Sequence, residues 1–129
     1  IIEEPESHLF PNAQKLITEF ISLAKNNGNK VLLTTHSPYI LGTINNMLYA
    51  NRISEKVDKM KLDRIIHPLK WIEFKKMSAY YVEEGSIQSC VDEEFGAINN
   101  DVIDGASDEI NNDYEEMADL YYASRAEVD

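Results

Sequence analysis

The chain has 129 residues, of which 43% are hydrophobic, 9% aromatic and 27% charged, a composition that excludes a disordered or collagen-like chain and gives one domain's worth of core without disulfides. Its single cysteine, Cys90, cannot form an internal bridge, which favours a reducing, cytoplasmic setting, and no run of about 18 apolar residues offers a membrane span. The net charge of −11 is unevenly spread: residues 1–82 hold 11 basic and 8 acidic side chains, whereas 83–129 hold Arg125 and 15 acids, so the acidic segment is excluded as a phosphate-binding surface.

The chain opens on Ile-Ile-Glu-Glu-Pro-Glu with neither an initiator Met nor a signal-peptide pattern, and reads as a piece of a longer polypeptide. Ile1-Ile2 is expected to end a buried strand. Pro11 suits a first helical turn, and Leu16, Phe20, Leu23 and Ala24, with Ile17 and Ile21 beside them, recur at helical spacing until Asn26-Asn27-Gly28, predicting a helix with that stripe in the core. Lys30–Thr35 is apolar and β-branched, as strands of parallel sheets are. Strand, helix and strand in about 35 residues form a βαβ unit with parallel strands.

Ser37-Pro38 predicts a second helix with Ser37 as N-cap, Pro38 at the first position, and Ile40, Leu41, Ile44, Met47 and Leu48 as its apolar stripe, ending near Ala50-Asn51. The basic stretch Arg52–Lys76 reads as a short helix followed by an irregular passage around Pro68. Met77–Glu83 and Ser86–Val91 form a hairpin through Glu84-Gly85. Ser107–Arg125 repeats Ile110, Tyr114, Met117 and Tyr121 at helical spacing, with Asp108 and Glu109 in the first turn, where the helix dipole favours acids.

The chemistry-bearing residues crowd the first 38 positions. Glu3, Glu4, Glu6 and His8 follow the first strand, and His36 follows the second. Ligands of open parallel sheets bind beyond the carboxyl ends of the strands, and adjacent strands lie about 5 Å apart. Carboxylates and an imidazole separated by 32 residues are therefore expected to face one site.

Glu-Glu-Pro-Glu-Ser-His-Leu-Phe-Pro after one strand, a helix, and then Leu-Leu-Thr-Thr-His-Ser-Pro resemble the second half of an ABC-type ATPase domain of the branch that holds RecF, the chromosome-maintenance ATPases and the OLD-family and related AAA-type ATPases of genome defence. The resemblance covers about residues 1–50 and extends weakly to the hairpin. It implies an α/β fold: the C-terminal portion of a P-loop NTPase parallel sheet with flanking helices, a closing hairpin and an acidic C-terminal helix. The expected division is 1–91 for the ATPase portion and 92–129 for the acidic helical extension.

Residue by residue, the resemblance makes Glu3 the Walker B acid that holds Mg²⁺ through water, where Asp is commoner. Glu4 becomes the catalytic glutamate that activates the attacking water, and His36 the switch histidine that contacts the γ-phosphate. Ser7 and His8 fall in the D-loop at a dimer interface; Phe10 replaces the Asp of transporter-type domains, leaving His8 to supply a polar contact. ATP and Mg²⁺ are implied only for the complete domain, because no Gly-x-x-x-x-Gly-Lys-Ser/Thr loop and no Leu-Ser-Gly-Gly signature occur in the chain,. The isolated chain is then expected not to hydrolyse ATP. The resemblance further implies ATP-sandwiched homodimers of the full-length protein, DNA contacts outside this chain, an associated effector nuclease, and a role in DNA repair or phage defence.

Each motif also has a plainer reading. Glu3–Glu6 alone is a solvated acidic turn and His36 alone a structural histidine; only their pairing favours chemistry. His67 reads as structural or exposed, Cys90 as a packed side chain, and the lysines of 52–76 as a solvated face. Glu84-Gly85 with Asp101 and Asp104 faintly suggests a Toprim nuclease, but a hairpin turn is the simpler account. The alternative function is a non-catalytic scaffold with an ATPase-like core and an acidic docking tail.

Overall fold

The computed structural model describes the backbone of residues 1–128 and the side chains of residues 1–99 and 112–126. Two units divide it, Ile1–Asn99 and Asn100–Asp129. The first begins with strand β1 (Ile2–Glu3), helix α1 (Pro11–Ser22) and strand β2 (Leu33–Thr34). Ile2 pairs with Leu33 and Glu3 with Thr34 in parallel. The expected strand Lys30–Thr35 is thus cut to two ladder residues, because β1 is its one partner among the described residues. The helix ends in a 3₁₀ turn over Leu23–Asn27, closed by Gly28 at φ 76°, a left-handed C-cap open to glycine.

Helix α1 reverses the expected burial. Leu16 and Phe20 are 64% and 68% exposed, whereas Thr18 and Glu19 are 3% and 4% exposed, and Gln14 and Ser22 are buried with them. Ile17, Ile21, Leu23 and Ala24 are half-buried. The apolar stripe is where helical spacing put it, but α1 packs against α2 (Pro38–Ile53) through its polar side. That side is made tolerable by local hydrogen bonds: the Thr18 hydroxyl donates to Gln14 C=O at 2.7 Å and the Ser22 hydroxyl to Glu19 C=O at 2.6 Å,.

Helix α2 starts as its sequence dictates. Ser37 Oγ accepts the N–H groups of Tyr39 and Ile40, and Pro38 occupies the first turn. The helix runs to Ile53, past the expected end at Ala50-Asn51, since Arg52 and Ile53 both continue to be useful: Ile53 packs on the core and Arg52 donates to Phe95 C=O, its guanidinium 5.9 Å from the Phe95 ring centroid. The core joins Met47 and Ala50 of α2 to Leu62 of α3 (Lys59–Ile65) and to Ile66, with Ile44, Ile53, Trp71 and Ile72 around them. Trp71 Nε1 donates to Ile66 C=O at 2.9 Å and the Ile72 N–H to Met47 C=O at 3.2 Å, which fastens the irregular passage to α2.

Three-ten turns at Pro68–Lys70 and Phe74–Lys76 fill the basic stretch. Its charges are partly paired at the surface, Lys59 with Glu55 and Lys76 with Glu73, each at 3.4 Å. His67 is exposed and structural, its Nδ1 accepting the Leu69 N–H at 3.1 Å. Strands β3 (Tyr80–Glu83) and β4 (Ser86–Ser89) pair antiparallel around Glu84 and Gly85 at φ 47° and 78°. Both φ values are positive, as a two-residue hairpin turn of matching twist requires. The hairpin is shorter than the expected Met77–Glu83 and Ser86–Val91, because the chain turns away at buried Cys90 into a second antiparallel pair, β5 (Val91–Asp92) with β6 (Ala97–Ile98). Burial pushes the Cys90 thiol pKa up, in keeping with a packed side chain.

The second unit is helix α4, Asn100–Val128, which begins earlier than the expected Ser107. Arg125 Nη1 donates to the Tyr121 hydroxyl at 3.3 Å one turn back, and Tyr121 and Tyr122 meet edge to face at 5.6 Å. The side chains of Asp101, Asp104, Asp108, Glu109 and Ile110 lie outside the described residues.

Candidate functional site

The site grows from the carboxyl ends of β1 and β2. The parallel ladder carries the Ile2 N–H to Leu32 C=O and the Glu4 N–H to Thr34 C=O, both at 2.8 Å. Glu4 then leaves the strand at φ 45°, and His8 follows at φ 64°. Side chains other than glycine adopt such left-handed backbone at a cost of about 1–2 kcal/mol, and strain of this kind gathers at functional positions. Between these residues the chain makes two turns, the Ser7 N–H donating to Glu4 C=O at 3.1 Å and the Leu9 N–H to Glu6 C=O at 3.0 Å.

The geometry brings the two candidate catalytic residues together. Glu4 Oε1 lies 3.4 Å from His36 Nε2, with both side chains largely open to solvent. Such an exposed pair adds little stability, so its interest is chemical: a carboxylate acceptor and an imidazole are both presented to solvent beyond the strand ends. Glu3 is exposed at the end of β1, and Ser7 and His8 are exposed in the turns. The side chains of these three residues make no hydrogen bond or ion pair among the described residues.

Two further side chains tie the loops together, and neither role was visible in the sequence. Glu6 Oε1 accepts the His36 backbone N–H at 2.9 Å. Partial burial pushes the Glu6 carboxyl up, but the backbone N–H groups of His36 and of Glu6 itself, the Thr35 hydroxyl and the His36 imidazole outweigh it and hold the pKa below its ordinary value. Its other oxygen, Oε2, is shielded from water without meeting hydrogen-bond geometry, although the Thr35 hydroxyl lies close enough to act on the carboxylate. Gln14 of α1 is the second tie. Its Nε2 donates to Leu9 C=O at 2.9 Å, and its Oε1 accepts the Ser37 hydroxyl. A glutamine in an amphipathic helix reads as solvent-facing; the only hint in the sequence was its place one turn after Pro11.

No group of three or more His, Cys, Asp or Glu side chains among the described residues could enclose a metal ion. This donor set still fits Mg²⁺, which keeps much of its water and is commonly held by one or two carboxylates together with substrate phosphates. Glu3 and Glu4 are the exposed carboxylates at the end of β1.

No curated protein and no solved structure matches the chain. No helix among the described residues is long and apolar enough to cross a membrane. Residues 1–41, which span β1, the two turns, α1, β2 and the start of α2, match the family model described as an AAA ATPase domain, and this match supports an AAA-type ATPase domain.

Proposed function

We propose that this chain carries half of the hydrolytic site of a RecF/OLD-like ATPase, with the P-loop supplied by polypeptide outside these 129 residues. The observation that carries the reading is the 3.4 Å approach of Glu4 and His36 beyond two adjacent parallel strands. In phosphoryl transfer the protein chiefly positions the nucleophile and stabilises charge on the transferred group. Glu4 accepts a proton from the attacking water and aims it. His36 donates from Nε2 to a γ-phosphoryl oxygen, where charge builds as the leaving bond breaks. Glu3 would be the residue to hold Mg²⁺, which when bound would supply neutralisation of the phosphate oxygens. Ser7 and His8 face a second ATPase head across the nucleotide, so that the assembly is a homodimer closed by ATP. Action on DNA in repair or phage defence and a nuclease partner follow from the resemblance.

The test is ATP turnover by the full-length protein. Glu4→Gln is expected to lower the rate of phosphate release by at least about 100-fold, the usual worth of a general base, while ATP binding stays within a few-fold of wild type. Unchanged hydrolysis would refute the assignment of Glu4. A full-length protein without a P-loop lysine would instead favour the scaffold reading.

A further inference from the structure

The ladder between β1 and β2 lacks one rung, and a side chain takes its place. In a regular parallel pair, a residue that donates to one carbonyl of its neighbour strand accepts from the N–H two residues further along. Glu4 donates to Thr34 C=O, so regular pairing would bring the His36 N–H to Glu4 C=O. The left-handed turn at Glu4 prevents this, and Glu4 C=O accepts the Ser7 N–H instead, at 3.1 Å. The His36 N–H goes to Glu6 Oε1 at 2.9 Å. Thr35 completes the arrangement, its hydroxyl accepting the Ser37 N–H at 3.0 Å and keeping its own proton free to face the carboxylate.

The geometry points to Glu6 as a positioning residue that replaces the missing rung and holds His36 in register with Glu4. The strand end thereby meets two demands that regular pairing cannot meet together. Glu4 turns out of the ladder to present its carboxylate, and His36 stays fixed although its natural acceptor has turned away. A charged acceptor gives a stronger hydrogen bond than the backbone carbonyl it replaces. This inference deepens the ATPase reading and rests on it for its kinetic consequence; the hydrogen bond itself does not.

The test uses the full-length protein with Glu6→Ala, Glu6→Gln and Glu6→Asp, alongside Glu4→Gln. Two readouts are taken: steady-state ATP hydrolysis, and hydrogen exchange of the His36 backbone amide. Glu6→Ala is expected to speed His36 exchange and to lower kcat about 10- to 100-fold, the scale of a misplaced catalytic group, with KM for MgATP changed less than about 3-fold. Glu6→Gln supplies a carbonyl of the same reach and is expected to restore both protection and kcat to within about 3-fold. Glu6→Asp keeps the charge but falls one methylene short, and is expected to behave like Glu6→Ala. Should Glu6→Ala fail to fold, the contrast between Gln and Asp decides.

Unchanged His36 protection in the Ala or Asp variant would overturn the inference, and so would a Gln variant as impaired as the Asp variant. If the exchange pattern holds while Glu4→Gln hydrolyses at the wild-type rate, the rung stands and the ATPase reading fails. If Glu4→Gln is inactive but all three Glu6 variants turn over normally, the ATPase reading stands and the positioning role falls.

Discussion

Glu4 combines a strained backbone with an exposed carboxylate, and the two can be separated by substitution. Glu4→Gly relieves the left-handed strain at φ 45° and is expected to raise the unfolding free energy, measured by urea titration, by up to about 1 kcal/mol, while abolishing turnover of the full-length protein; a lower unfolding free energy would show that the carboxylate stabilises the fold. Glu6 carries a pH signature. Its folded pKa is depressed below the ordinary value of 4.5, so the stability it confers is present above that value and is lost as pH falls through the folded pKa. Urea titrations from pH 7 to pH 3 are expected to show a gap between wild type and Glu6→Gln that closes toward acid; a gap independent of pH would mean that ionisation of Glu6 contributes nothing. The identities of Glu3, Glu4 and His36 as strand-end residues were legible in the sequence, because a β-branched run followed by polar residues marks its own end. The part played by Glu6 was not, since it exists only because Glu4 adopts a positive φ that no pattern of residue types reports.

At the scale of elements, the ends of helices were more legible than their buried faces. Ser37-Pro38 specifies a cap and a first turn through purely local chemistry, and both are present at the start of α2. Ser37→Ala is expected to cost about 1 kcal/mol, within the 0.5–2 range for lost N-caps, with an added loss because Gln14 Oε1 is left without its donor. Helix α1 shows the opposite case. Periodicity locates an apolar stripe but cannot say which neighbour is present to cover it, and α1 turns Gln14, Thr18, Glu19 and Ser22 inward. Gln14→Leu, a conservative change under the periodic reading, is expected to destabilise by about 1–3 kcal/mol, because the Leu9 carbonyl and the Ser37 hydroxyl both lose a partner; chemical denaturation with an unchanged m-value checks it. The β5–β6 pair escaped sequence reading because each strand has two residues. The available signal was Asp92, whose carboxylate accepts the Glu94 and Phe95 N–H groups at 2.9 and 3.1 Å ahead of Gly96 at φ 65°, a turn chemistry that a search for alternating strands passes over.

For the molecule as a whole, the residues left uncovered in the first unit matter as much as those packed. Phe10, Leu16, Phe20 and Leu32 are all exposed, and β1 and β2 form a sheet of two strands. Sheets with free edges and apolar residues beside them associate. The isolated 129-residue chain is expected to self-associate at micromolar concentration in sedimentation velocity, and the double substitution Leu16→Lys, Phe20→Lys to shift it toward monomer without loss of helical circular dichroism. A wild-type chain that is monomeric throughout would refute this. The mixed α/β character was legible in the sequence because strand, helix and strand in so short a span have few ways to connect. The burial of the apolar stripe was not, because periodicity locates a stripe without specifying which surface packs on it. The inward-facing polar side of α1 has a calorimetric consequence as well. Unfolding this chain hydrates amide, hydroxyl and carboxylate groups that were buried, while Leu16 and Phe20 are in water already. Polar hydration lowers the heat capacity and newly wetted apolar surface raises it, so scanning calorimetry of the monomeric double variant is expected to give a heat-capacity step below the usual value of about 12–15 cal/mol/K per residue.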